Sequence, residues 1–114
     1  MMSQDVIHNV SFVQPAGFSP QQFRKLDQLY CRAASVKTLT YRTVDCDFDQ
    51  GIARYTYYKS AQFAPYLQFL IRKVGPRSTL FEVYLEGKGC VIKSGLFDRA
   101  YDILAQHVED LSCD

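Results

Sequence analysis

The sequence predicts an α+β domain with a ferredoxin-like βαββαβ core, extended at its C-terminal end by one further strand and one further helix. Three features lead to it. A capping signature opens a helix at Ser19-Pro20-Gln21-Gln22, segments rich in Thr, Tyr, Val and Phe flank a glycine turn at Asp49-Gln50-Gly51, and a regular alternation occupies residues 78–86. Read in order, the elements run β-α-β-β-α-β and then β-α. A split βαββαβ unit folds as an antiparallel sheet with two helices on one face. The 114 residues form a single domain over 1–114, because chains of this length support one core. With 47% hydrophobic and 22% charged residues, the chain has the apolar material to build that core.

The first strand is expected at Val6–Val13, where Val6, Val10 and Phe12 alternate with polar Asn9 and Ser11. Ser19 then caps a helix from Pro20 to about Ala34, with Pro20 at its first position and Gln22 closing a capping box. Phe23, Leu26, Leu29, Tyr30, Ala33 and Ala34 share its apolar face. Residues 36–48 and 52–59 form a long hairpin around the three-residue turn Asp49-Gln50-Gly51, Gly51 supplying the left-handed position. That register pairs Phe48 with Ile52, Cys46 with Arg54, Val44 with Thr56 and Arg42 with Tyr58 on one face. Pro65 opens a second helix that ends at Val74, with Gly75 as its left-handed cap and Pro76 as its stop. Leu80, Glu82, Tyr84 and Glu86 alternate with Phe81, Val83 and Leu85 in the next strand, and Cys90–Lys93 follows after Gly87-Lys88-Gly89. Ser94 caps the last helix, whose stripe is Leu96, Phe97, Ala100, Tyr101, Leu104, Val108 and Leu111. If the first strand is dropped, the order becomes α-β-β-α-β-β-α.

Charge and composition exclude several functions. Thirteen Lys and Arg against twelve Asp and Glu leave a net charge of +1, too balanced for sequence-independent phosphate binding. No basic n-region with an apolar run follows Met1, and no segment approaches the ~20 apolar residues of a membrane span, so a cytoplasmic chain is expected. Cys31, Cys46, Cys90 and Cys113 are then reduced thiols, with Cys31 and Cys90 read as small buried hydrophobes. Asp45 and Asp47 flank Cys46 and disfavour its thiolate.

Motifs for chemistry are sparse. Asp45-Cys46-Asp47-Phe48-Asp49-Gln50-Gly51 has the alternate carboxylates of a calcium loop, but Gln50 and Thr56 stand where the loop needs Gly and Glu. No metal site is expected, and no cofactor. Gln50–Tyr57 partly follows the RNA-binding pattern K/R-G-F/Y-G/A-F-V-x-F/Y: Gly51, Ala53 and Tyr57 fit, whereas Ile52 and Arg54 occupy the positions whose rings stack on bases. Residues 51–77 carry five bases and no acid, which favours this alternative slightly; nucleic acid is still disfavoured as a partner. No phosphate loop, serine-nucleophile motif or zinc-protease motif is present, and neither His8 nor His107 has a nameable partner, so no catalytic residue is assigned. A small ferredoxin-like enzyme is the other alternative, since its site could be assembled from residues scattered along the chain.

The expected function is therefore a non-catalytic interaction or regulatory module. Arg42, Val44, Phe48, Ile52, Arg54 and Tyr58 make the candidate interface or ligand patch on the sheet face away from the helices. A homodimer is the simplest cover for it, with an unidentified protein partner or small ligand in its place as variants. The last helix carries five acids and one base between Asp98 and Asp114, and is expected to dock on the basic stretch 51–77.

Overall fold

A computed structural model describes residues 18–112. Helix α1 (Pro20–Ser35) leads into five strands, β1 (Tyr41–Asp47), β2 (Ile52–Tyr58), β3 (Leu67–Lys73), β4 (Thr79–Leu85) and β5 (Gly89–Ser94), and helix α2 (Phe97–Ser112) closes the chain. The strands form one antiparallel sheet in the order β1-β2-β3-β4-β5, each paired with its neighbours in sequence. This overturns the ferredoxin-like core. A βαββαβ unit needs two helical crossovers, and here no crossover interrupts the sheet between β1 and β5. The strand expected at Val6–Val13, like His8 and Cys113, lies outside the described residues.

Helix α1 begins as its sequence requires. The Gln22 amide donates to Ser19 Oγ at 3.1 Å while the Ser19 amide donates to Gln22 Oε1 at 3.0 Å, so two orphan donors of the first turn are satisfied reciprocally. At its other end Lys37 adopts φ 65°, and the Lys37 and Thr38 amides donate back to Ala34 O and Ala33 O.

The expected second helix is strand β3. Leu67, Phe69 and Ile71 point to the helices and Gln68, Leu70 and Arg72 point away, so the run is a strand made ambiguous by Leu70 on its outer face. Pro65 stands just ahead of it. Gly75 and Pro76 sit in the β3–β4 turn, which the Val74 amide closes by donating to Ser78 O at 3.0 Å, and Gly75 does not take a left-handed φ.

The β1–β2 turn is one residue longer than expected. Asp47 pairs with Ile52, leaving Phe48 to Gly51 as the loop, with Gly51 at φ 66°. Its Cα lies against β3, where an added Cβ would meet Lys73 Cβ at 3.1 Å, so both conformation and space demand glycine. One extra loop residue shifts every pairing by one, and in a strand that reverses which face each side chain occupies.

Both helices cover the same sheet face. Phe18, Leu26, Leu29 and Ala33 from the α1 side and Ala100, Leu104 and Val108 from α2 form one core with Ala53, Tyr55, Tyr57, Leu67, Phe69, Ile71, Phe81, Val83 and Leu85. Phe97 sets its ring 5.4 Å from Phe69 and 5.7 Å from Phe81, which anchors the start of α2. Leu96, expected in this stripe, precedes the helix and is exposed. The acids of α2 do not dock on residues 51–77: α2 packs on β4 and β5, and its ion pair among the described residues is Asp98 with Lys25 of α1. Cys31 and Cys90 are exposed rather than buried, because Cys31 lies on the outer side of α1 and Cys90 on an edge strand. Among the described residues, no helix is long and apolar enough to cross a membrane.

Candidate functional site

The patch expected on the sheet face away from the helices is divided by the register. Ile52, Arg54 and Tyr58 point there, because their neighbours Ala53, Tyr55 and Tyr57 face the core. Arg42 and Val44 sit opposite Tyr57 and Tyr55 and therefore belong to the helix side, contrary to the sequence reading. Phe48 is in the turn, not on the sheet, and is partly exposed.

On the helix side Arg42 has a structural task. Its guanidinium lies 3.3 Å from Asp27 and 5.8 and 5.6 Å from the ring centres of Tyr30 and Tyr55. Tyr55 Oη donates to the same Asp27 carboxylate at 2.7 Å, and Tyr57 Oη donates to Leu26 O at 3.0 Å. Burial, then the bond to Asp27, pushes the Tyr55 phenol well above its usual range, and burial does the same for Tyr57. Both phenols are thus held neutral as donors that fasten α1 to β2.

The outer face is polar and apolar in mixture. Ile52, Thr56, Leu70 and Glu82 are buried on it, and Arg54, Tyr58, Gln68, Arg72, Leu80 and Tyr84 are half-buried. Tyr58 sets its ring 5.2 Å from Tyr41, and its hydroxyl lies 3.3 Å from Thr43 Oγ1. Arg54 reaches across to Asp45 on β1, at 3.1 and 3.4 Å. Arg72 donates to both oxygens of Glu82 at 2.9 and 3.3 Å, and Tyr84 Oη donates to Glu82 at 2.7 Å. Burial alone would raise the Glu82 carboxyl. The bonds from Arg72 and Tyr84 and the charges of Arg72 and Lys93 outweigh it and hold the group below its ordinary value.

Leu70, Arg72, Glu82, Tyr84 and Lys93 are members of this face that the sequence reading missed. The signal was present in the alternation of β3 and β4, but reading β3 as a helix removed the strand that joins β2 to β4.

Arg54 and Arg72, two of the five bases of residues 51–77, are paired with carboxylates on adjacent strands. At the two RNA-stacking positions stand buried Ile52 and paired Arg54, and Tyr57 is buried in the core. Among the described residues, no three His, Cys, Asp or Glu side chains lie close enough to share a metal ion. Burial, then Asp45 and Asp47, raises the Cys46 thiol, which opposes a nucleophilic role.

The lowered Glu82 carboxyl has a pH consequence. As pH falls below the ordinary 4.5, the unfolded chain takes up the proton while folded Glu82 resists it, so its stabilising contribution is lost through that window. Glu82→Gln is expected to flatten this acid limb in melts between about pH 3 and pH 6. At neutral pH it should cost about 1–3 kcal/mol, because Arg72 is a third exposed and solvent screens the pair. An unchanged acid limb would show that Glu82 does not set it.

Comparison with protein-family models, curated proteins and solved structures finds no match.

Proposed function

We propose that the protein is a non-catalytic interaction module that associates with a second copy of itself through the outer face of its sheet. The observation that carries this is the character of that face: apolar and aromatic side chains lie among ionic groups of both signs. Leu80, Tyr41, Tyr58 and Tyr84 supply the former, around buried Ile52 and Leu70, while Arg54 and Arg72 are each matched by an acid. A face of balanced charge neither attracts a polyanion nor repels its own copy, and two-fold symmetry makes one patch serve as both halves of an interface. Single-stranded nucleic acid draws less support, since paired arginines offer little counterion release. The reading places the chain in a reducing cytoplasm, which suits free Cys31, Cys46 and Cys90.

Light scattering across micromolar concentrations tests it. The mass should rise from that of the 13.1 kDa chain toward twice that value. Leu80→Glu, which places an unpaired charge on the face, should give a folded monomer. A single-chain mass at every concentration would overturn the reading.

A further inference from the structure

The strand register arranges the outer face into rows, because directly paired residues on neighbouring strands lie level with each other. One row reads Asp45, Arg54, Leu70, Glu82 and Lys93 from β1 to β5. Its charges run negative, positive, neutral, negative and positive. Half a turn about an axis along β3 exchanges β1 with β5 and β2 with β4, so it sets every charge of the row over its opposite. Asp45 falls over Lys93, the accessible pair, while Arg54 falls over Glu82, which is buried and already held by Arg72 and Tyr84, and buried Leu70 falls over its own copy. Half a turn about an axis across the strands, along the same row, instead sets each of the four charges over its own copy.

We propose that a second copy of this chain seats on the outer sheet face about a two-fold axis along β3, with Asp45 of each copy opposite Lys93 of the other. This rests on the self-association reading and adds to it the direction of the two-fold axis and a register. Asp45 and Lys93 are both exposed, on the two edge strands, and therefore accessible to a partner. Twisted sheets pack with their strands ~30° apart, which offsets the edges more than the centre, and the long stem of Lys93 spans that offset. In the adjoining row Ile52 falls over Leu80, an apolar pairing. There Arg72 meets its own copy, but each guanidinium is already held by Glu82. The row on the other side, Thr43, Thr56, Gln68, Tyr84 and Cys90, brings Thr43 over Cys90.

That last pairing supplies the experiment. Within one chain Thr43 and Cys90 are four strand spacings of ~4.8 Å apart, farther than a short bismaleimide of about 8 Å reaches, whereas between sheets packed ~10 Å apart both side chains project into the gap and bring the two sulfurs within its span. Full-length Thr43→Cys treated with this reagent is expected to give a covalent dimer, and Thr43→Cys with Cys90→Ser should lose it. Independently, Asp45→Lys and Lys93→Asp should each raise the dimer dissociation constant about tenfold, and the double exchange should recover most of the loss. A dimer that shows neither the Cys90-dependent cross-link nor the recovery would overturn this axis and register while leaving self-association standing. A chain that stays monomeric would overturn both.

Discussion

Deleting α2 by ending the chain after Ser94 is expected to abolish cooperative unfolding and leave a soluble aggregate or a molten state that binds a hydrophobic dye. The helix buries Ala100, Leu104 and Val108 and inserts Phe97 between Phe69 and Phe81. Each large apolar side chain contributes ~1.5–3 kcal/mol when buried, and the strands beneath lose their cover as well, so the total rivals the ~5–15 kcal/mol by which domains are stable. No other described element stands ready to cover Phe81 and Val83. Near-wild-type melting of the truncated chain would show that α2 is an appendage and not a wall of the core.

Phe69→Ala should cost ~3–5 kcal/mol, read as a fall in the urea midpoint with an unchanged slope. Phe69 lies at the middle strand of the sheet, fully buried, with the rings of Phe81 and Phe97 at 6.3 and 5.4 Å. Strands on both sides and the helix above fix its surroundings, so the vacated volume cannot collapse. A cost below ~1 kcal/mol would mean that the helix layer resettles over the gap.

Local signals suffice where one short segment contains the whole instruction. Ser19, Pro20 and Gln22 specify the start of α1 by satisfying its first amides, and the structure has that box. The alternation of Phe81, Val83 and Leu85 placed β4, and the spacing of Ala100, Leu104 and Val108 placed α2 and its inward face. The candidate patch was legible only in part. Ile52, Arg54 and Tyr58 followed from β2, while Arg42 and Val44 went to the wrong side and the β3–β5 half of the face was missed.

Two decisions were made by the folded sheet and not by any local pattern. Residues 67–71, Leu-Gln-Phe-Leu-Ile, satisfy a helical stripe through Leu67, Leu70 and Ile71 as well as a strand through Leu67, Phe69 and Ile71. Pairing with β2 and β4 on both sides selects the strand, because it supplies partners to the facing edges of those two strands and brings Phe69 to the core. The register of β1 is the second. Counting residues around Gly51 permits turns of three or four, and the packing of Arg42 against Asp27, Tyr30 and Tyr55, with Val44 against the core, selects four. Composition and periodicity establish which segments are apolar, and the capping box establishes where α1 begins. Which side of a strand meets the core is a property of its neighbours, and for β1 and β3 those neighbours come from elsewhere in the chain.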